Sequence, residues 1–100
     1  MSPYRQLYSC AEVQLNTLRW ALHISNCRAY RWCWDLALLW SWEIWVDAER
    51  AGDEIMAETA EAVVSRIMPK LRFSTVIRVV SEAEQRVNAR ACRTEGEPQL

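Results

Sequence analysis

Residues 28–50 read RAYRWCWDLALLWSWEIWVDAER, and the arrangement of the rest of the chain follows from how this stretch is buried. It holds five of the six tryptophans, and from Ala29 to Val46 14 of 18 residues are apolar. That length reaches the lower limit for a membrane span, but Arg31, Asp35 and Glu43 interrupt it and argue for a helix inside a protein. Read as one helix at about 100° per residue, Tyr30, Cys33, Trp34, Ala37, Leu38, Trp40, Ile44 and Trp45 fall together as a core face, broken only by Ser41. The remaining arc carries every charge of the segment, Arg28, Arg31, Asp35, Glu43 and Asp47, yet also Trp32, Leu36, Leu39 and Trp42. Such an arc is too apolar for plain solvent exposure. Either neighbouring helices wrap it or it binds a partner.

On the N-terminal side, Ser2 followed by Pro3 predicts a helix start, because Ser caps free backbone N–H groups and Pro costs nothing at the first helical position. Tyr4, Leu7, Tyr8, Ala11, Leu15, Leu18 and Leu22 then share an apolar arc beside Arg5, Glu12, Asn16, Arg19 and His23, with an end near Ser25–Asn26. On the C-terminal side, Gly52 and Asp53 read as a helix stop and a new N-cap, so a helix is expected from about Glu54 to Met68, closed by Pro69. Met56, Ala60, Val63, Val64 and Ile67 form its buried face, and Glu54, Glu58, Glu61 and Ser65 an acidic stripe.

Lys70–Arg93 fits two templates. Leu71, Phe73, Thr75, Ile77 and Val79 alternate like a strand, and Ser81 with Glu84 resembles a capping box that would open a helix after it. Phe73, Val76, Ile77, Val80, Ala83, Val87 and Ala91 follow helical spacing over more of the segment. A lone strand, unless paired between subunits, also leaves its backbone groups without partners, so the helix is preferred.

The expected fold is therefore all-α: a compact bundle of about four helices with the Trp-rich helix central, one domain over residues 1–93 and a flexible tail over 94–100. One hundred residues with two glycines and three prolines suit this class, and leave no room for a second domain. Cys10, Cys27, Cys33 and Cys92 have no CxxC spacing and no signal peptide precedes them, so reduced thiols and a cytoplasmic location are expected.

Chemistry-bearing motifs are absent. His23, Cys27 and Cys33 lack the second ligand pair that zinc needs, and His23 falls on a polar face like an ordinary surface histidine. No phosphate loop, HExxH, GxSxG or Glu-x-x-His pair occurs, so neither an enzyme nor a cofactor is expected. The net charge of −1 gives no global field. Charge is segregated instead: six acids and one base lie in Asp47–Glu61, seven bases and two acids in Ala62–Arg93.

Two functional readings follow. In the first, a small non-catalytic protein binds a protein partner through Trp32, Leu39 and Trp42 with Glu54, Glu58 and Glu61, as an inhibitor or adaptor of a larger machine. A phage or mobile-element inhibitor of a host nuclease complex, such as an anti-CRISPR protein, is one instance. In the second, a dimeric transcriptional regulator contacts nucleic acid through Arg72, Arg86, Arg90 and Arg93 on the last helix. A homodimer suits either reading, and membrane attachment is not expected, because the Trp-rich segment lacks a Lys- and Arg-rich polar face.

Overall fold

The computed structural model describes residues 10–96, with side chains as far as Ala91; the helix start expected at Ser2–Pro3 lies outside these residues. Four α-helices follow in order: α1 (Ala11–Asn26), α2 (Trp34–Ala51), α3 (Glu54–Ile67) and α4 (Phe73–Gly96). A 3-10 segment, Arg28–Cys33, joins α1 to α2, and a 3-10 turn, Met68–Lys70, lies between α3 and α4. The protein is an all-α bundle, and no strand occurs among the described residues.

The punctuation works as its chemistry requires. Gly52 adopts φ 74°, the left-handed conformation that ends a helix, and its N–H donates to Ala48 O and Glu49 O. Asp53 then caps α3, its Oδ1 accepting from Met56 N at 3.1 Å. Helix α3 ends at Ile67, one residue before the expected Met68. Helix α4 covers the whole ambiguous segment, so Ser81 is inside a helix rather than at its start, and the helix continues to Gly96, past the expected tail boundary.

Helix α2 packs against all three other helices. Its two sides are reported by Trp34 and Glu43, nine positions apart and so about half a turn around an α-helix. The Trp34 indole donates to Ile24 O of α1 at 2.8 Å, whereas Glu43 receives Arg90 of α4 at 2.6 Å. On the first side Ala37, Ser41, Ile44 and Ala48 are buried, with the Ser41 hydroxyl satisfied by Ala37 O at 2.7 Å. Ala21, Leu18, Ala57, Ala60 and Val64 of α1 and α3 complete that core. On the second side lies α4, contributing buried Val76, Val79, Ala83 and Val87. The Asp35–Arg78 contact near the helix starts and the Glu43–Arg90 contact further on make α4 run in the same direction as α2.

Two expected faces move. The chain is non-helical at Tyr30 (φ −102°, ψ 16°), within the 3-10 segment, and again at Cys33 (φ −122°, ψ 17°), just before α2, so Tyr30 leaves the core face and is exposed. Trp34, Trp40 and Trp45 are half-buried rather than deep core. On α4, Phe73 and Ile77 are exposed while Val79 is buried, a rotation relative to the stripe read from spacing.

Glu43 is 3% exposed and is the one buried carboxylate among the described residues. Arg90 spans Glu43 and Asp47, at 2.6 Å and 2.8 Å. Burial works against the Arg90 charge, but the hydrogen bond to Glu43 and the attraction of both carboxylates outweigh it and hold its pKa above the ordinary value. The exposed Arg78–Asp35 and Arg86–Glu82 pairs are each worth about 0–1 kcal/mol, far less than the fully buried aliphatic side chains at about 1.5–3 kcal/mol each. Removing one member of the buried pair strands a charge, a loss of about 3–5 kcal/mol. Arg90→Met is expected to lower unfolding stability by about that amount in urea titrations, and Glu43→Met combined with Arg90→Met to recover most of it. A double variant no more stable than the single one would show that Glu43 is not held by this pairing.

Candidate binding surface at the aromatic, basic end

One end of the bundle gathers the α1 C-terminus, both 3-10 connections and the starts of α2 and α4. It is fastened by Trp34 and Lys70. The Trp34 Nε1–H donates to Ile24 O at 2.8 Å and more weakly to Cys27 O at 3.3 Å, a second donor for carbonyls that already accept from Cys27 N and Tyr30 N. Lys70, the chain's one lysine, donates through Nζ to Ser25 O and to Asn26 Oδ1, and lies 5.7 Å from the centre of the Trp34 ring. A cation at a helix C-terminus also offsets the partial negative charge there.

Around this fastening the surface is aromatic and basic. Trp32 is 78% exposed, with its Nε1–H fixed to Ala29 O at 3.1 Å, so the ring is held in place with its faces in solvent. Phe73, at the start of α4, is 79% exposed. Tyr30 is exposed beside His23, which stands edge-on to Trp20 with centroids 5.8 Å apart. Arg28, Arg31 and Arg72 are exposed, and no ion pair among the described residues involves them. Spacing put Tyr30 and Phe73 on apolar helix faces and did not single out Trp20; none of the three was expected at a binding surface. The missed signal is the absence of any acid between Glu12 and Asp35 in a stretch holding three arginines and several aromatic rings.

The other expected partner-binding residues divide. Glu54, Glu58 and Glu61 are exposed on α3, away from this end. Leu39, in contrast, is 4% exposed and belongs to the core, because α4 covers the face of α2 that was left open. Trp42 is half-buried against the same core and edge-on to Trp45 at 5.0 Å; its Nε1 is enclosed without a hydrogen-bond partner. Neither offers a free side chain at the surface.

The arginine stripe expected on the last helix also resolves differently. Arg90 is spent between Glu43 and Asp47, and Arg86 pairs with Glu82 at 3.0 Å. Arg72 precedes α4 and joins the aromatic end, while the Arg93 side chain lies outside the described ones. The described cysteines, Cys10, Cys27 and Cys33, are free thiols. Among the described residues no group of three or more His, Cys, Asp or Glu is placed to hold a metal, and no helix is long and apolar enough to cross a membrane.

Comparisons with protein-family models, curated proteins and solved structures found no match to this chain.

The fastening makes a local prediction. Lys70→Met removes a charged donor from the end of α1, a loss of about 1.5–3 kcal/mol. Amide hydrogen exchange is expected to accelerate in Leu22–Asn26 and Arg28–Trp34 before it does in α3. Uniform acceleration across all helices would mean that the contact supports the whole fold rather than this end.

Proposed function

We propose that the protein acts by occupying the surface of another protein, as a non-catalytic inhibitor or adaptor of a larger macromolecular machine. The observation that carries this reading is Trp32: a large ring, 78% exposed, held by a backbone hydrogen bond and flanked by the unpaired Arg28 and Arg31. Trp, Tyr and Arg dominate the residues that carry binding energy at protein interfaces, and a ring already fixed loses little entropy on docking. Tyr30, Arg72 and Phe73 extend the surface, and its charge selects an acidic partner. A small inhibitor of a host nuclease complex, of the kind that phages and mobile elements carry, is the instance we favour; an anti-CRISPR protein is one example. The reading places it in the cytoplasm, in keeping with free thiols.

A nucleic-acid-binding regulator is the second reading. What favours it is the same set of unpaired arginines beside exposed rings, a combination that also suits stacking against single-stranded nucleic acid. It moves the basic surface from α4 to the end of the bundle.

A tagged pull-down from host lysate, with and without nuclease, separates the two when Trp32→Ala is run beside the wild type. A protein that survives nuclease treatment and is lost with Trp32→Ala, while far-UV circular dichroism is unchanged, is the expected result. Retention of every captured protein by the variant would remove Trp32 from the interface. Loss of everything on nuclease treatment would transfer the surface to nucleic acid.

A further inference from the structure

The outer face of α3 carries charged and apolar side chains that are exposed and enter no ion pair among the described residues. Ile55, Glu58, Ala62 and Arg66 follow one another at steps of three and four residues, which puts them on a single stripe of α3, and Pro69 follows three residues on, in the 3-10 turn. All are exposed, Ile55 at 81%. None of the ion pairs among the described residues includes Glu54, Glu58, Glu61 or Arg66. Glu58 and Arg66 are eight residues apart, a rise of about 12 Å along the helix, so they are out of reach of each other in one molecule.

The stripe is symmetric in kind about Ala62. Glu58 lies four residues before it and Arg66 four after; Ile55 lies seven before and Pro69 seven after. A second copy of the same helix laid antiparallel, with the two Ala62 residues on the twofold axis, sets each Glu58 against the other copy's Arg66 and each Ile55 against its Pro69. The small Ala62 side chains let the helices come close where they cross. A parallel arrangement would set Glu58 against Glu58 and is disfavoured by repulsion. The net charge of −1 leaves no global repulsion to oppose association.

We propose that this face binds a second copy of the chain in a closed, twofold-symmetric antiparallel dimer through α3. One self-complementary patch used twice closes the assembly without leaving a sticky end. A single 14-residue helix provides a small interface, so the dimer is weak and salt-sensitive. The charged part of this surface lies on α3 and does not include Trp32, so the two proposals are tested by different variants.

Analytical ultracentrifugation of the full chain, over a wide concentration range at low and high salt, tests it. The wild type is expected to pass from monomer to dimer with concentration, and less so in high salt. Glu58→Arg and Arg66→Glu each bring like charges together across the axis twice, and each is expected to raise the dissociation constant about tenfold or more. Both positions are exposed, and circular dichroism confirms that helicity is kept. The decisive sample is an equimolar mixture of the two variants, in which both opposite-charge pairs form again, one with its native polarity and one reversed. Dimerisation restored in the mixture supports the arrangement. A wild type that stays monomeric throughout, or a mixture no tighter than its components, overturns it.

Discussion

A helix with apolar residues on two opposite sides cannot leave either side to water, and α2 is such a helix. Covering it on one side only would leave Leu39 and much of Trp42 in solvent, so the chain needs helices on both. This requirement sets the order of packing. Helices α1 and α3 take the side with Ala37, Ser41 and Ala48, where small residues permit close approach. Helix α4 takes the side with Leu39 and Glu43 and supplies valines. Half-buried tryptophans line the flanks between these layers, which is why a chain with so many of them keeps none among its fully buried large side chains.

The second interface carries a charge pair where the first carries none, and the difference has a physical sense. Valine and alanine faces pack tolerably in more than one register, because sliding a helix by a turn replaces one aliphatic contact with another. Arg90 reaching Glu43 and Asp47 together is satisfied in one register only. A misplaced α4 would leave a carboxylate buried without a partner, so the pair selects against alternatives more than it adds net stability. In the first interface that selection comes from the short Gly52–Asp53 turn and from the Trp34 and Lys70 contacts, which fix α1 and α3 relative to α2 without ionic cost.

What was legible in the sequence were features determined by one residue acting locally. Gly52 ends a helix because it alone tolerates the left-handed backbone cheaply, and Asp53 caps the next because its carboxylate reaches a free N–H. The helical class followed from periodicity and from the absence of partners for a strand. Features set by neighbours were not legible. The break between Tyr30 and Cys33 has no glycine or proline to announce it. Leu39 and Trp32 sat on the same mixed arc of an assumed single helix, yet one is core and the other is surface. What separates them is the break at Cys33, which lies between them, together with α4, which covers Leu39. Phe73 and Ile77 fall on the helical stripe read from spacing and Val79 does not, yet Val79 is the one buried, because the packing of α4 on α2 sets which side of α4 faces inward.

The charges make the same point about function. A count of seven bases after Ala62 suggested a cationic last helix, but a cation that meets a carboxylate inside the molecule no longer contributes to the field outside it. Arg78, Arg86 and Arg90 are all drawn into such pairs. The charge left for recognition is elsewhere, on Arg28, Arg31 and Arg72 at the aromatic end and on Glu54, Glu58 and Arg66 along α3. These groups form no ion pair among the described residues and lie on different elements, the arginines at the aromatic end and the rest along α3. A near-neutral protein whose unspent charges are held apart in this way carries its electrostatic information locally. In the proposed binding role, the sign of a patch and the ring or aliphatic side chain set within it, not the total charge, discriminate between partners.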